Sequence, residues 1–105
     1  MMHATWNGAV IAESNRTVVV EGNHYFPPDD VSFDLLRPRQ ARTLCFWKGI
    51  ARYHDVVIDG QVNRSAAWSY AHPSPLARKI RGHVAFWNGV RVQEVQPAPQ
   101  PDAVG

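Results

Sequence analysis

The sequence predicts an all-β domain carrying one or two short helices. Three observations lead there. Short runs of alternating apolar residues recur along the chain, whereas the 3.6-residue period of an amphipathic helix is almost absent. Turn-forming residues punctuate those runs, at Pro27-Pro28, Asp59-Gly60, Pro73 and Asn88-Gly89. At 105 residues, 45% of them apolar, the chain is long enough for one hydrophobic core and too short for two. The expected organisation is therefore a single domain over residues 1–95, built from about seven or eight strands, followed by a disordered Pro-rich tail over residues 96–105.

Each element has a local cause. Val10 to Ser14 and Thr17 to Glu21 are apolar runs separated by Asn15-Arg16, the length of a tight hairpin connection. His24 to Phe26 is a third run, ended by two prolines that cannot donate to a ladder. In "DDVSFDLL" one helical turn is expected, with Asp29 or Asp30 as its N-cap. The segment "RPRQAR" reads as a loop. Thr43 to Lys48 and Ala51 to Ile58 are the next strands, with Gly49 as a bulge or bend between them and Asp59-Gly60 as the following turn. Ala67 to Ala71 is short and aromatic. Ser74-Pro75 then reads as an N-cap followed by proline at the first helical position, opening about two turns that end near Gly82. In "HVAFWNGVRVQE" the Asn88-Gly89 pair between alternating residues predicts a type I′ hairpin.

Composition narrows the function classes. No apolar run approaches the roughly 20 residues of a membrane span, and "MMHATWNGAV" lacks both a basic n-region and a long apolar h-region. The one cysteine, Cys45, forms no internal disulfide and no multi-cysteine zinc site. A cytoplasmic protein without metal, cofactor or membrane partner is the expectation. Net charge is only +2 with the basic residues scattered, so the pI near 9.0 is weak support for nucleic acid. Arg37, Arg39, Arg42, Arg78, Lys79 and Arg81 could touch phosphates, but no nucleic-acid motif accompanies them. They read as a solvated loop and helix face, and no nucleic-acid partner is expected.

The stretch "TLCFWKGIARY", Thr43 to Tyr53, is the richest in chemistry. Residues two apart on a strand share a face, so Thr43, Cys45, Trp47, Ala51 and Tyr53 line one side, alternating small groups with aromatics beside a glycine. Such a face builds either a core or a shallow aromatic pocket. Lys48, between Trp47 and Gly49, must snorkel to water or meet an anion.

The chain resembles the family catalogued as domain of unknown function 427, small bacterial and fungal proteins sometimes labelled nucleotidyltransferase-like. The likeness runs from about Trp6 to about Val92 and rests on "IAES", "YFPPDDV", "TLCFWKGIARY", "AAWSYAHP" and "GHVAFW". The family usually has Cys-Pro-aromatic-Lys-Gly where this chain reads Cys45-Phe46-Trp47-Lys48-Gly49, so the strand is expected to run straighter here. The resemblance implies a compact β fold of two packed sheets, similar to the β-tent proteins, and no established function. The transferase label fails on chemistry: magnesium against a triphosphate needs clustered carboxylates, commonly Asp-x-Asp after a Gly-Ser turn, and the chain has neither these nor a Gly-rich phosphate loop.

The expected site is amphiphilic: Tyr25, Trp47, Tyr53, Trp68 and Tyr70 as walls, Lys48 and Glu13 as opposite charges, and Cys45 beside them. Its ligand is a small aromatic or anionic molecule. No catalytic residue is assigned. A buried, inert Cys45 and a solvated Glu13 are the plain readings of those two residues. The alternative function is a protein-protein interaction or structural module without catalysis, including a homodimer held through exposed aromatics.

Overall fold

A computed structural model describes residues 1–96; the Pro-rich tail expected beyond them lies outside the described residues. Nine strands and three short 3₁₀ segments make up the described chain, so the all-β class holds. The strands are β1 (Met2–Trp6), β2 (Ala9–Ser14), β3 (Val18–Val20), β4 (Asn23–Tyr25), β5 (Leu36–Cys45), β6 (Gly49–Ile58), β7 (Gln61–Ser69), β8 (Val84–Phe86) and β9 (Arg91–Glu94). They form three antiparallel sheets: β2-β1-β9, β3-β4 and β5-β6-β7-β8.

Two apolar clusters hold the sheets together. Ala4, Ile11 and Ala12 from the three-stranded sheet meet Val56, Ala67 and Phe86 from the four-stranded sheet, which makes these sheets two layers around a common core. The second cluster packs the β3-β4 ribbon, through Val20 and Tyr25, against Ala51, Tyr70, Ala77, Ile80 and Ala85. A pair of backbone hydrogen bonds, Phe26 N to Val84 O at 2.8 Å and Val84 N to Phe26 O at 2.9 Å, ties the end of β4 to β8.

Several expected connections fall elsewhere, each for a definable reason. Asn15-Arg16 is not a hairpin tip, because β2 pairs with β1 and β3 with β4. The tight turns sit instead at Asn7-Gly8 (φ 51° and 79°) and Glu21-Gly22 (φ 54° and 80°), where glycine supplies one of the two left-handed positions that a type I′ turn requires. Asp59-Gly60 does join β6 to β7, with Ile58 opposite Gln61. Asn88-Gly89 turns the chain, with Val90 N bonded to Trp87 O at 3.1 Å, yet it is a corner rather than a hairpin. Its flanking strands part, β8 to β7 and β9 to β1, because both find longer apolar partners in other sheets.

The "RPRQAR" segment is strand, not loop. Proline is tolerated there because β5 is a sheet edge. Its register with β6 slips between Pro38 and Arg42, and the register of β6 with β7 slips between His54 and Val56. Asp55 lies between these irregularities, only 2% exposed. Its carboxylate accepts from Arg37 at 3.2 Å, from Arg39 at 3.0 Å and from the Ser65 backbone N–H at 2.9 Å. Ser65 holds φ at 54°, a left-handed backbone that places this amide on the carboxylate.

Asp29 and Asp30 do not cap a helix. They lie inside the 3₁₀ segment Pro28–Asp30, whose N-cap is Pro27, and Asp30 accepts from Ser14 Oγ at 2.5 Å and from Arg16 at 3.4 Å. Phe33–Leu35 is a second short 3₁₀ turn. Pro75–Ile80 is a 3₁₀ segment broken at Ala77, with Ser74 before it as expected but with its hydroxyl used elsewhere.

Candidate functional site

The strand expected over Thr43 to Lys48 stops at Cys45, which pairs with Gly49, so Phe46, Trp47 and Lys48 form the three-residue tip of the β5-β6 hairpin. Phe46 therefore does not straighten the strand; it points from the apex into water, fully exposed. Gly49 has φ 113°, and a Cβ there would approach His72 O at 3.3 Å and Pro73 Cα at 3.4 Å. Only glycine admits both the conformation and the neighbouring chain. That chain clamps the tip: Ser74 N–H donates to Lys48 O at 2.9 Å and Ser74 Oγ donates to Trp47 O. With two of its carbonyls held, the tip turns Lys48 inward.

Lys48 is 7% exposed, so it neither snorkels nor faces solvent. It meets an anion supplied by its own chain, since Nζ donates to Oε1 of Glu21 on the β3-β4 turn. Its ammonium also lies 5.5 Å from the centre of the Trp47 ring and 5.6 Å from that of Tyr70, within cation-π range. Burial is the largest effect and opposes the charge on Lys48, but the hydrogen bond to the Glu21 carboxylate, together with Tyr25, Tyr70 and Cys45, outweighs it. The lysine pKa is held above its usual value. The hydrogen bond from Lys48 correspondingly lowers Glu21. Burial raises the Tyr70 phenol.

Beside this ion pair opens a cleft of about 280 Å³ lined by Asn23, Lys48, Tyr53, Trp68, Tyr70 and Trp87. Trp68 and Trp87 meet edge to face, with ring centres 5.7 Å apart. The wall is braced from behind: Trp68 Nε1 donates to the Tyr25 hydroxyl at 3.2 Å, and Thr43 Oγ1 lies 2.9 Å from the Tyr53 hydroxyl. Trp87 Nε1 donates to Ser65 O at 2.5 Å, which couples the rim to the Asp55 irregularity.

Of the residues that the sequence singled out, Lys48, Tyr53, Trp68 and Tyr70 converge on this cleft, and Trp47 stacks beside the ammonium. Tyr25 is fully buried behind the wall, and the half-buried Cys45 packs against the second apolar cluster. Glu13 lies apart. Its Oε2 is 3.3 Å from His3 Nε2 across the β1-β2 ladder, and it borders a different cleft of about 340 Å³ with Asp29 and Asp30. The carboxylate facing Lys48 is Glu21, which sequence reasoning missed together with Asn23 and Trp87. A signal existed for two of them: Glu21 opens the Glu21-Gly22 turn and Trp87 directly precedes the Asn88-Gly89 turn, and residues at turns beside an aromatic strand are placed at cleft rims.

Among the described residues no group of three or more His, Cys, Asp or Glu side chains is placed to hold a metal ion, and no helix is long and apolar enough to cross a membrane. What the cleft offers is stacking surface, one amide, and a buried cation whose counter-ion is half exposed. No curated protein matches the chain. A family model described as domain of unknown function (DUF427) matches residues 1–97, continuous with the whole described fold and including every wall of this cleft, and the chain belongs to that family.

Proposed function

We propose that the protein binds a small aromatic carboxylate in the cleft beside Lys48. The carrying observation is a buried ammonium, flanked by two ring faces, whose only carboxylate partner among the described residues sits on an exposed turn. A buried charge cannot be left unpaired cheaply, whereas Glu21 can return to water at little cost. A ligand carboxylate can therefore exchange with Glu21 on Lys48 while its ring lies against Tyr53, Trp68 and Trp87, with Asn23 as a hydrogen-bonding group at the edge. A cleft of about 280 Å³ suits one or two rings, at the small end of ligand pockets.

The test is a thermal-shift and calorimetric comparison of benzoate, 2-naphthoate and their neutral amides. A ligand that prefers the native state raises the melting temperature, and the carboxylates should do so while the amides do not. Lys48→Gln should abolish that shift in a protein that still folds. Glu21→Gln should enlarge it, because it removes the competing carboxylate. A flat response to all four probes would sink the reading and leave the structural or interaction module as the better account. Equal shifts in wild type and Lys48→Gln would remove Lys48 from the site.

A further inference from the structure

The apex of the β5-β6 hairpin presents a second surface on the side away from the aromatic cleft. Neither the stretch from Leu35 to His54 nor that from Gly60 to Gln93 contains a carboxylate, apart from which Asp55 occupies Arg37 and Arg39, and Glu21 occupies Lys48. Arg42 and Arg52 stand directly opposite each other in the ladder with no carboxylate partner among the described residues. Like charges in that position destabilise a sheet, so the fold carries a cost there. The next pair on the same face is Leu44 opposite Ile50, both exposed, and Phe46 at the tip is 100% exposed. Leu76 is exposed two residues beyond the Ser74 clamp, followed by Arg78 and Lys79. A cleft of about 500 Å³ lies on this face between Arg42, Ile50, Arg52 and His72.

We propose that this apex docks on the surface of a lipid bilayer carrying anionic headgroups. The order of groups along the hairpin matches the layering of such a surface. At roughly 3.3 Å per residue the Arg42-Arg52 pair lies roughly 13 Å behind Phe46, just above the depth of about 5–10 Å to which interfacial apolar groups reach, so the arginines stay at the level of the headgroups. Phe46 enters the acyl boundary, Leu44 and Ile50 sit at the interface, and the arginines meet phosphates, one of which the basic cleft can receive. A second copy of the chain fits this surface poorly, because a two-fold interface would bring the unpaired arginines of both copies together. A nucleic acid would leave the fully exposed apolar apex without a role. This surface needs no spanning segment, so the lack of one in the sequence does not bear on it.

Co-sedimentation with vesicles of phosphatidylcholine alone, or with about a third phosphatidylglycerol, tests it. Wild type should pellet with the anionic vesicles only, and less as salt rises. Phe46→Ser should weaken binding on the order of tenfold or more, and Arg42→Gln with Arg52→Gln by about fivefold for each arginine. All of these side chains are exposed, so melting curves should show folded variants. Any of four results would overturn the proposal: no pelleting with anionic vesicles; unchanged binding by Phe46→Ser; a dimer in sedimentation velocity that Phe46→Ser dissolves; or stabilisation by inorganic phosphate, or retention of an oligonucleotide, through Arg42 and Arg52 without vesicle binding.

Discussion

Two buried charges lie at opposite ends of one strand pair, and they are built differently. Asp55 is held by three donors from three directions: two arginines on β5 and a backbone amide on β7. Lys48 has one hydrogen-bonded partner, Glu21, and two ring faces, on the wall of an open cleft. Both satisfy the rule that a buried charge must be paired. They differ in whether the pairing can be exchanged. Replacing a donor on Asp55 would undo strand register, whereas releasing Glu21 moves one side chain on a two-residue turn. The first is a fastening and the second an exchangeable pair, the feature on which the proposed ligand site rests.

The largest effect should come from breaking the fastening. Asp55→Ala strands the Ser65 amide and removes the bond that reconciles two register slips. A loss of about 3 kcal/mol is expected, lowered from the fully buried figure because Arg37 and Arg39 stay partly exposed. In a domain of this size that is a fall in melting temperature of roughly 10–20 °C. A loss under about 1 kcal/mol, within the range of an ordinary surface substitution, would show that the slips hold themselves.

Acid should come next. Burial opposes ionisation of Asp55, but the Ser65 amide with Arg39 and Arg37 holds its pKa below the usual carboxylate value. Burial likewise keeps His54 below the usual histidine value, against a smaller opposing effect of Asp55. For both groups the unfolded chain binds more protons than the folded one, so stability must fall as pH falls. The decline begins below about 6.5 through His54 and steepens below about 4 through Asp55, joined by Glu21 and Asp30, which the hydrogen bonds from Lys48 and Ser14 hold below the usual carboxylate value. Lys48, whose pKa is raised, works the other way: its contribution is complete below about 10.4 and lost as pH climbs through the folded value. A denaturant midpoint measured from pH 3 to pH 8 checks the acid limb, and a midpoint flat across that range would contradict the Asp55 arrangement.

The smallest effect should be that of Lys48→Gln without ligand. It loses an ion pair with a half-exposed partner and two cation-π contacts, but also relieves the burial of a charge, so about 1 kcal/mol is expected. If Lys48→Gln costs as much as Asp55→Ala, the contrast fails and Lys48 is a second fastening. If it costs little while removing the response to aromatic carboxylates, the contrast is sharpened.

How much of this was legible follows from which forces are local. The short alternating runs and the Gly-containing turns act over a few residues, so the all-β class, the Asp59-Gly60 hairpin and the place of Ser74-Pro75 could be read directly. The stretch from Thr43 to Tyr53 stood out as a candidate because aromatic, cationic and glycine residues crowd together there, and Lys48 and Tyr53 from it do line the aromatic cleft. Pairing partners were not legible: Asn15-Arg16 and Asn88-Gly89 both look like hairpin tips, and strand exchange between sheets overrode both. The edge strand was hidden because Pro38 and the arginines of "RPRQAR" look like loop residues until Asp55 is seen to gather two of them.

By itself, then, the sequence determined the class of the fold and pointed to Lys48 among aromatic residues as a candidate site, since these depend on residue type and short-range spacing. Only the tertiary structure decided that Glu21 rather than Glu13 faces Lys48, that Trp87 joins the rim and that Phe46 stands free at an apex. The reason is that a carboxylate near a strand end can reach whichever cation the sheets bring within a few ångströms. That choice is made when β3-β4 leans on the four-stranded sheet to bury Val20 and Tyr25, a long-range packing event with no signature in the neighbourhood of either residue.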